Sequence, residues 1–374
     1  MTGTRATETP AARVPALVVP PPLTAAPEDA LVAGWGSEAG SEPWVSVICM
    51  AFNHASTVQD AIEGILAQRT PFPFEVLVQD DASTDGTAEL IAPYAVSHPR
   101  VVRAILRDQN LYSRNGMTLG NVLPLARGRW IAVVEADDYW SDPDKLARQL
   151  EALQRTGAEL ALHPAIEVDT RTGSAVLAGE LAPSDALLAP GSTLGVRTPP
   201  YAAAMYTRAA LDRYGSFRDR AAPPLGDVFM MAWASTEGVA YLDRPMSVYR
   251  RHLPGSWTSQ HQSDHVSAAR HSIRMIAALD RLADEAPVLR TAARARERRV
   301  WWQLVWAVRR ARASGQASGG EARALWPEGR RAPLVVALAR RAVLLLPARV
   351  TGFLRDTARR VLGRDRPARK RGSA

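Results

Sequence analysis

Trp130-Ile131-Ala132-Val133-Val134-Glu135-Ala136-Asp137-Asp138-Tyr139-Trp140 is an apolar run of five residues that leads directly into three carboxylates. The run is short and rich in β-branched side chains, the profile of a strand buried on both faces. Working outward, the same profile recurs at Trp44–Met50, Phe74–Gln79 and Val101–Leu106. Between these runs the period changes to that of a helix. Thr57–Gln68 places Val58, Ile62, Ile65 and Leu66 on one face, and Ser56 or Thr57 can cap it. Helical stretches are also expected after Thr87, over Leu119–Ala126 and over Asp144–Thr156. Such alternation predicts an α/β fold with a mostly parallel central sheet flanked by helices. Ligands of that architecture sit beyond the carboxyl ends of the strands. Three polar clusters follow strands there: Phe52-Asn53-His54, Asp80–Thr87 and Glu135–Asp138.

Beyond Thr156 the pattern loosens. Strands are expected near residues 160–163, 201–206, 239–242 and 246–250, and helices over 225–237 and 262–285. The chain reads as a disordered Pro/Ala-rich leader (1–42), an α/β body (43–288) and a basic, Arg/Ala-rich helical C-terminal extension (289–374). Within the extension, 313–320 reads as a linker and 332–346 as an amphipathic surface helix.

Charge divides the chain in the same way. The net charge is +8. From Arg290 onward there are 22 Arg and Lys against 5 Asp and Glu, a net of +17 that leaves −9 on the first 289 residues. A nucleic-acid enzyme carries its basic footprint on the folded body, so no nucleic-acid partner is expected. The tail fits an anionic surface such as a membrane, or a helical pair that packs on the body and shows its arginines to water. Cys49 is the single cysteine, which excludes an internal disulfide and points to a reducing setting. No apolar stretch of 18 residues is present, and the apolar run at 14–19 is too short for a signal peptide. The expected location is cytoplasmic, or peripheral at the cytoplasmic face of a membrane.

Four places can carry chemistry, and each has a plain structural reading beside the functional one. Glu135 and Asp137, one residue apart at a strand end, can hold a hard divalent cation such as Mn²⁺ or Mg²⁺, or they can be a solvated turn. Asp80-Asp81 can accept hydrogen bonds from a nucleobase, or belong to a capping turn with Ser83, Thr84 and Asp85. Asp227 can be a general base or a helix N-cap. His252 can add a nitrogen ligand to a metal or be a surface side chain.

Taken together, three blocks resemble the inverting, family-2 type glycosyltransferases with a GT-A (Rossmann-like) fold. Val45-Ser46-Val47-Ile48-Cys49-Met50-Ala51-Phe52-Asn53 is similar to the opening strand and "TYN"-like loop of that family. Gln79-Asp80-Asp81-Ala82-Ser83-Thr84-Asp85-Gly86-Thr87 is similar to its "VDDGSTDGT" segment. Glu135-Ala136-Asp137-Asp138-Tyr139-Trp140, continuing through Pro143, Lys145-Leu146 and Gln149, resembles the "DxD" segment of a subgroup that reads "EGDDYW".

The resemblance implies a nucleotide-sugar partner, a UDP- or dTDP-sugar. Asp81 would bind its base, and Ala51, Phe52 and Asn53 would line the nucleoside pocket. Asp137 would coordinate the metal, and Glu135, where Asp is commoner, would contact ribose or metal-bound water. Leu225-Gly226-Asp227 stands where the family has its catalytic aspartate, and Tyr249-Arg250-Arg251-His252 resembles its "YR.H" segment, which makes His252 a metal ligand. The "QxxRW" segment of processive synthases has no counterpart: His261-Gln262 follows Gln260. One sugar per encounter is therefore expected, on a saccharide, lipid-linked or small-molecule acceptor that the sequence does not name. Two other readings remain open. A sugar-phosphate nucleotidyltransferase would need a Gly-rich loop where Ala51–Ser56 stands, and a non-catalytic nucleotide-sugar-binding scaffold would tolerate Glu135.

Overall fold

A computed structural model describes residues 17–112, 119–195, 198–253 and 264–326. Its strands are β1 (Val45–Ala51), β2 (Phe74–Asp80), β3 (Val102–Leu106), β4 (Trp130–Glu135), β5 (Tyr139–Trp140), β6 (Leu160–Leu162), β7 (Ala165–Asp169), β8 (Ala175–Ala178), β9 (Ala186–Leu188), β10 (Ala204–Thr207), β11 (Val239–Tyr241) and β12 (Ser247–Arg251). Its helices are α1 (Glu28–Gly34), α2 (Val58–Leu66), α3 (Thr87–Ser97), α4 (Leu119–Val122), α5 (Lys145–Thr156), α6 (Arg208–Ala221), α7 (Gly226–Ala234), α8 (His265–Glu285), α9 (Arg290–Ala313) and α10 (Gly319–Ala324).

The large sheet runs in the order β3-β2-β1-β4-β10-β6-β11-β9. Its first four strands are parallel, and β10 enters antiparallel between β4 and β6. Strand alternation sorts two cores. Ile48, Leu77, Ile131 and Val133 face one side, where α6, α7, α8 and α9 pack. Val47, Cys49, Val76, Val78, Ala132 and Val134 face the other, with α1, α2 and α5. This two-sided burial is why β1 and β2 read as continuous apolar runs. A smaller sheet, β5-β12-β7-β8, pairs the residues just after the acidic turn with Ser247 and Val248. Close approach fixes two glycines: a Cβ on Gly64 would lie 2.7 Å from Trp140 O, and one on Gly128 would lie 2.5 Å from Ser46 N.

The structure corrects several expectations. The described part of the leader packs on the body: Leu31 and Trp35 are buried, Trp35 meets Phe74 edge-on at 5.9 Å, and Ala26 N–H donates to Leu66 O at 3.1 Å. Pro/Ala richness concealed one short amphipathic turn with two large apolar anchors. The first helix of the extension packs on the body, one of the two readings given for the tail: Trp301, Leu304 and Val305 of α9 join Phe229 and Met231 of α7 in one core. Over 313–320, Ala317 is buried and α10 begins, so this is not an open linker. Residues 201–203 form a 3₁₀ turn and the strand starts at Ala204. The leader before residue 17, the 332–346 helix and Gln260–Gln262 lie outside the described residues.

Candidate active site

In the parallel part of the sheet, the chain runs outward from β1 through β2 to β3 and then crosses back to β4 on the other side of β1, so the winding reverses between β1 and β4. A crevice opens at such a switch point, beyond the carboxyl ends of those strands. Ala51, Asp81, Glu135 and Asp137 all lie at that rim.

The first two motifs are stitched together. Asn53, at φ +56°, donates its N–H to Ser83 Oγ (2.8 Å) and accepts from Thr84 N–H through Oδ1 (2.9 Å). His54 N–H reaches Thr87 Oγ1 (2.9 Å), Ala55 N–H reaches Asp85 Oδ2 (2.9 Å), and Asp80 accepts from Ser83 N–H (3.0 Å). Ser83, Thr84, Asp85 and Thr87 are thus explained by loop architecture, and the Asn53 side chain is committed to it. Phe52 stays 44 % exposed, an apolar face at the rim. Asp81 is fully buried, and its two oxygens accept the N–H groups of Leu111 and Tyr112, each at 2.9 Å.

The acidic turn is held from outside. Arg250 N–H donates to Asp138 Oδ1 (2.9 Å), and its guanidinium reaches Asp137 O (3.2 Å) and Asp60, lying 4.5 Å over the Tyr139 ring. Asp138 is therefore consumed by structure. Asp137 has a buried Oδ1 with no hydrogen-bond partner among the described residues. Burial raises the Asp137 carboxyl above its ordinary range, against the pull of His54 and Arg250. Glu135, exposed at the lip, has its carboxyl raised by loss of hydration, then by Asp137 and Asp227. The solvent that Glu135 still meets tempers the size of that shift. Burial also raises Asp227, which sits in the first turn of α7. Three crowded carboxylates and an orphaned buried oxygen favour a cation, so the residues fit a divalent metal. Among the described residues, however, no three His, Cys, Asp or Glu side chains are gathered as a finished metal cluster.

The remaining expected ligand lies apart. His252, at φ +65°, has its Nε2 3.6 Å from Asp169 Oδ2. Several participants went unread in the sequence. Among the described residues His54 Nδ1 is buried without a partner, and the ring lies close enough to act on Asp137. Tyr206 Oη is likewise buried and unpartnered among the described residues, facing Asp227. Arg296, from α9, acts on Asp227 as well. Tyr206 and Arg296 stand in no recognisable motif, whereas His54 belongs to the polar cluster after the first strand and Arg250 to the "YR.H" segment, neither of which told what the side chain holds.

This rim of carboxylates on a GT-A-like sheet has a family. Residues 46–215 match the model described as glycosyl transferase family 2, and this segment is a family 2 glycosyltransferase domain with a GT-A fold. An uncharacterized protein of Mycobacterium tuberculosis (strain ATCC 25618 / H37Rv) is 33 % identical over 229 residues, covering 58 % of this chain and 61 % of that relative. The chain thus spans about three-fifths of that relative's length. Succinoglycan biosynthesis protein ExoO of Rhizobium meliloti (strain 1021) is 41 % identical over 120 residues, 32 % of each chain. Staphylococcus aureus TarS residues 1–349, solved with UDP-GlcNAc, shares the fold with a TM-score of 0.50 at 17 % identity, covering 72 % of each chain. No helix among the described residues is long and apolar enough to cross a membrane.

Proposed function

We propose that this chain transfers a sugar from a nucleotide-diphosphate sugar to an acceptor hydroxyl, with inversion, dependence on Mn²⁺ or Mg²⁺, and one sugar added per encounter. The observation that carries this reading is the pair Glu135 and Asp137, with a buried Asp137 Oδ1 that has no hydrogen-bond partner among the described residues, at the sheet's switch point in the segment that matches family 2, with Asp227 of α7 close enough to act on Glu135. Asp81 binds the base; each of its oxygens has a second lone pair beyond those used by Leu111 and Tyr112. Ala51 and Phe52 line the nucleoside pocket, with Asn53 shaping its loop. Asp137 would hold the cation, with His252, whose side chain lies beside Asp169 in this structure, turning in to join it, and Glu135 would contact ribose or cation-bound water. His252 lies two residues beyond Arg250, which already bonds the Asp137 backbone. A divalent cation in this place offsets the charge that builds on the departing diphosphate.

Asp227 takes the proton from the acceptor hydroxyl as its oxygen attacks C1 of the sugar on the face opposite the diphosphate. Its raised carboxyl suits a base working near neutral pH. The donor is a UDP- or dTDP-sugar. The named relative in succinoglycan biosynthesis supports a saccharide or lipid-linked saccharide acceptor. The net charge of +17 from Arg290 onward supports peripheral attraction to anionic lipid at a cytoplasmic face. Co-sedimentation with anionic vesicles, abolished by salt, is the check for that attraction.

The deciding experiment incubates the protein with UDP-, dTDP- and GDP-sugars, in Mn²⁺ or EDTA, and measures free nucleoside diphosphate. Metal-dependent release from one donor is expected. Nucleotide-sugar binding without release from any donor or acceptor mixture would favour the scaffold reading. Asp227→Asn with unchanged turnover would remove the base assignment.

A further inference from the structure

Residues 17–22 lie well ahead of the segment that matches family 2, which begins at residue 46. Two of them nevertheless reach the support of the acidic turn. Tyr139, buried and two residues beyond Asp137, donates its hydroxyl to Pro20 O at 2.6 Å. Val19 packs against the small core of Tyr139, Ile166 and Val248. Among the described residues, Val19 is the member of that cluster that comes from outside the small sheet. Farther along, Ala26 N–H donates to Leu66 O at the end of α2, and Ala26 O lies 2.9 Å from His98 Nε2. This stretch of the leader is thus fastened at both ends, to β5 and to α2.

We propose that Val19 and Pro20 form a positioning strap for the acidic turn: by holding Tyr139 they fix the ring on which the Arg250 guanidinium rests, and with it the Arg250 contact to Asp137. This rests on the proposed use of that turn to hold a cation.

The path from strap to turn is short. Arg250 lies 4.5 Å over the Tyr139 ring and bonds Asp137 O at 3.2 Å. Its other arm pairs with Asp60 on α2, the helix to which the far end of the strap is tied. β5 has only two residues, Tyr139 and Trp140, paired with Val248 and Ser247 of β12. So short a strand has few ladder bonds of its own, and side-chain ties decide where its ring sits. The sequence of the strap suits the task. Pro20-Pro21-Pro22 has its φ angles fixed and offers carbonyls without competing N–H groups, so little entropy is lost in holding it. Proline richness here builds a stiff tie rather than a loose tail.

The test compares wild type, Tyr139→Phe, Val19→Ala and the double variant in the full chain, with thermal unfolding of each as a control. Tyr139→Phe keeps the ring and removes only the bond to Pro20. In metal-free protein the amides of Ala136 and Asp138, which bond Met50 O and Glu135 O, should exchange with solvent several-fold faster in each single variant, while β1 and β2 exchange as in wild type. Mn²⁺ binding in the presence of UDP, read by electron paramagnetic resonance, should weaken about fivefold in Tyr139→Phe, the usual worth of one hydrogen bond. In turnover the loss should fall on the Mn²⁺ activation constant and the donor KM rather than on kcat. The double variant should lose little more than Tyr139→Phe, because both changes slacken one contact. Unchanged exchange over 135–138, faster exchange throughout the large sheet, or faster exchange with Mn²⁺ binding unmoved would each overturn the proposal and leave the strap a packing element. Wild type that neither binds Mn²⁺ nor releases nucleotide from any donor would be a failure of the transferase reading, seen before any variant is compared; the exchange comparison still decides whether the strap holds the turn.

Discussion

The backbone N–H of Arg250 donates to Asp138 Oδ1 at 2.9 Å, joining the last strand of the small sheet to the turn that presents Glu135 and Asp137. The Arg250 side chain adds a bond to Asp137 O and an ion pair with Asp60 on α2. One residue thus ties three elements around the acidic turn. Arg250→Gln keeps the backbone bond and removes the side-chain ties. It should raise the donor KM and the Mn²⁺ activation constant by about tenfold or more, since small misplacement of reacting groups is costly. Arg250→Lys should recover little, because the guanidinium is both stacked on Tyr139 and forked between two partners. Mn²⁺ titration of turnover checks this; wild-type kinetics in both variants would remove the positioning role.

The crowded carboxylates set a pH dependence whose sign is fixed. A carboxyl raised in the fold binds its proton more tightly there than in the unfolded chain. Its contribution is complete below about pH 4, the ordinary carboxylate range, and disappears as pH rises through the folded value. For Glu135 that value is raised, by less than full burial would give because the side chain still meets solvent. Metal-free protein should therefore lose stability as pH rises from about 5 toward neutrality, and Glu135→Gln should flatten the decline. Mn²⁺ should stabilise the protein more at pH 8 than at pH 5.5, by about 2 °C or more in Tm. Thermal unfolding at the two pH values, with Mn²⁺ or EDTA, decides it. Equal Mn²⁺ shifts at both would mean that the cation does not bind these carboxylates.

Gly64 tests how tightly the site is backed. Its α-carbon faces the Trp140 backbone, where a Cβ would stand 2.7 Å from O and 3.1 Å from N. Alanine favours a helix over glycine by about 1 kcal/mol. Overpacking against fixed backbone costs about 1–3 kcal/mol, so the clash wins. Gly64→Ala should lower unfolding stability and raise the donor KM, because Trp140 is three residues beyond Asp137. Denaturant melts and donor titration provide the two readings, and a stabilised variant would show that β5 yields freely.

How much of this was written in the sequence depends on the range of the interaction. The four parallel strands were legible because burial on both faces makes each an uninterrupted apolar run. The rim carboxylates Asp81, Glu135 and Asp137 follow directly from where those runs stop. The short strands β7, β8 and β9 carry partly exposed residues in mixed patterns, so no period revealed them. Arg250 stands in the legible "YR.H" segment, but what it holds was hidden for another reason. Its grip on the acidic turn is a contact spanning about a hundred residues, Arg250 to Asp138, which no local window holds. His252 shows the converse: its motif was legible, but the side chain lies beside Asp169.

The leader supplies the last prediction. Proline and alanine predicted disorder, yet Arg100 bonds Glu28 at 2.8 Å and His98 Nε2 lies 2.9 Å from Ala26 O, while Trp35 covers Phe74. These ties make residues 17–42 a cover for one edge of the α2 side of the core. Trp35→Ala should cost about 3–5 kcal/mol, the usual loss for truncating a buried tryptophan. Trp35→Phe should cost much less, because it keeps the edge-on ring and deletes an indole N–H that is buried without a partner among the described residues. Truncation before residue 17 should leave the unfolding midpoint within error, whereas truncation before residue 43 should expose Phe72, Phe74 and Leu66 and promote aggregation. Urea melts of the four proteins separate these outcomes. If the second truncation melts like the first, α1 is a passenger; if Trp35→Ala and Trp35→Phe lose equally, the ring contact is not what holds it.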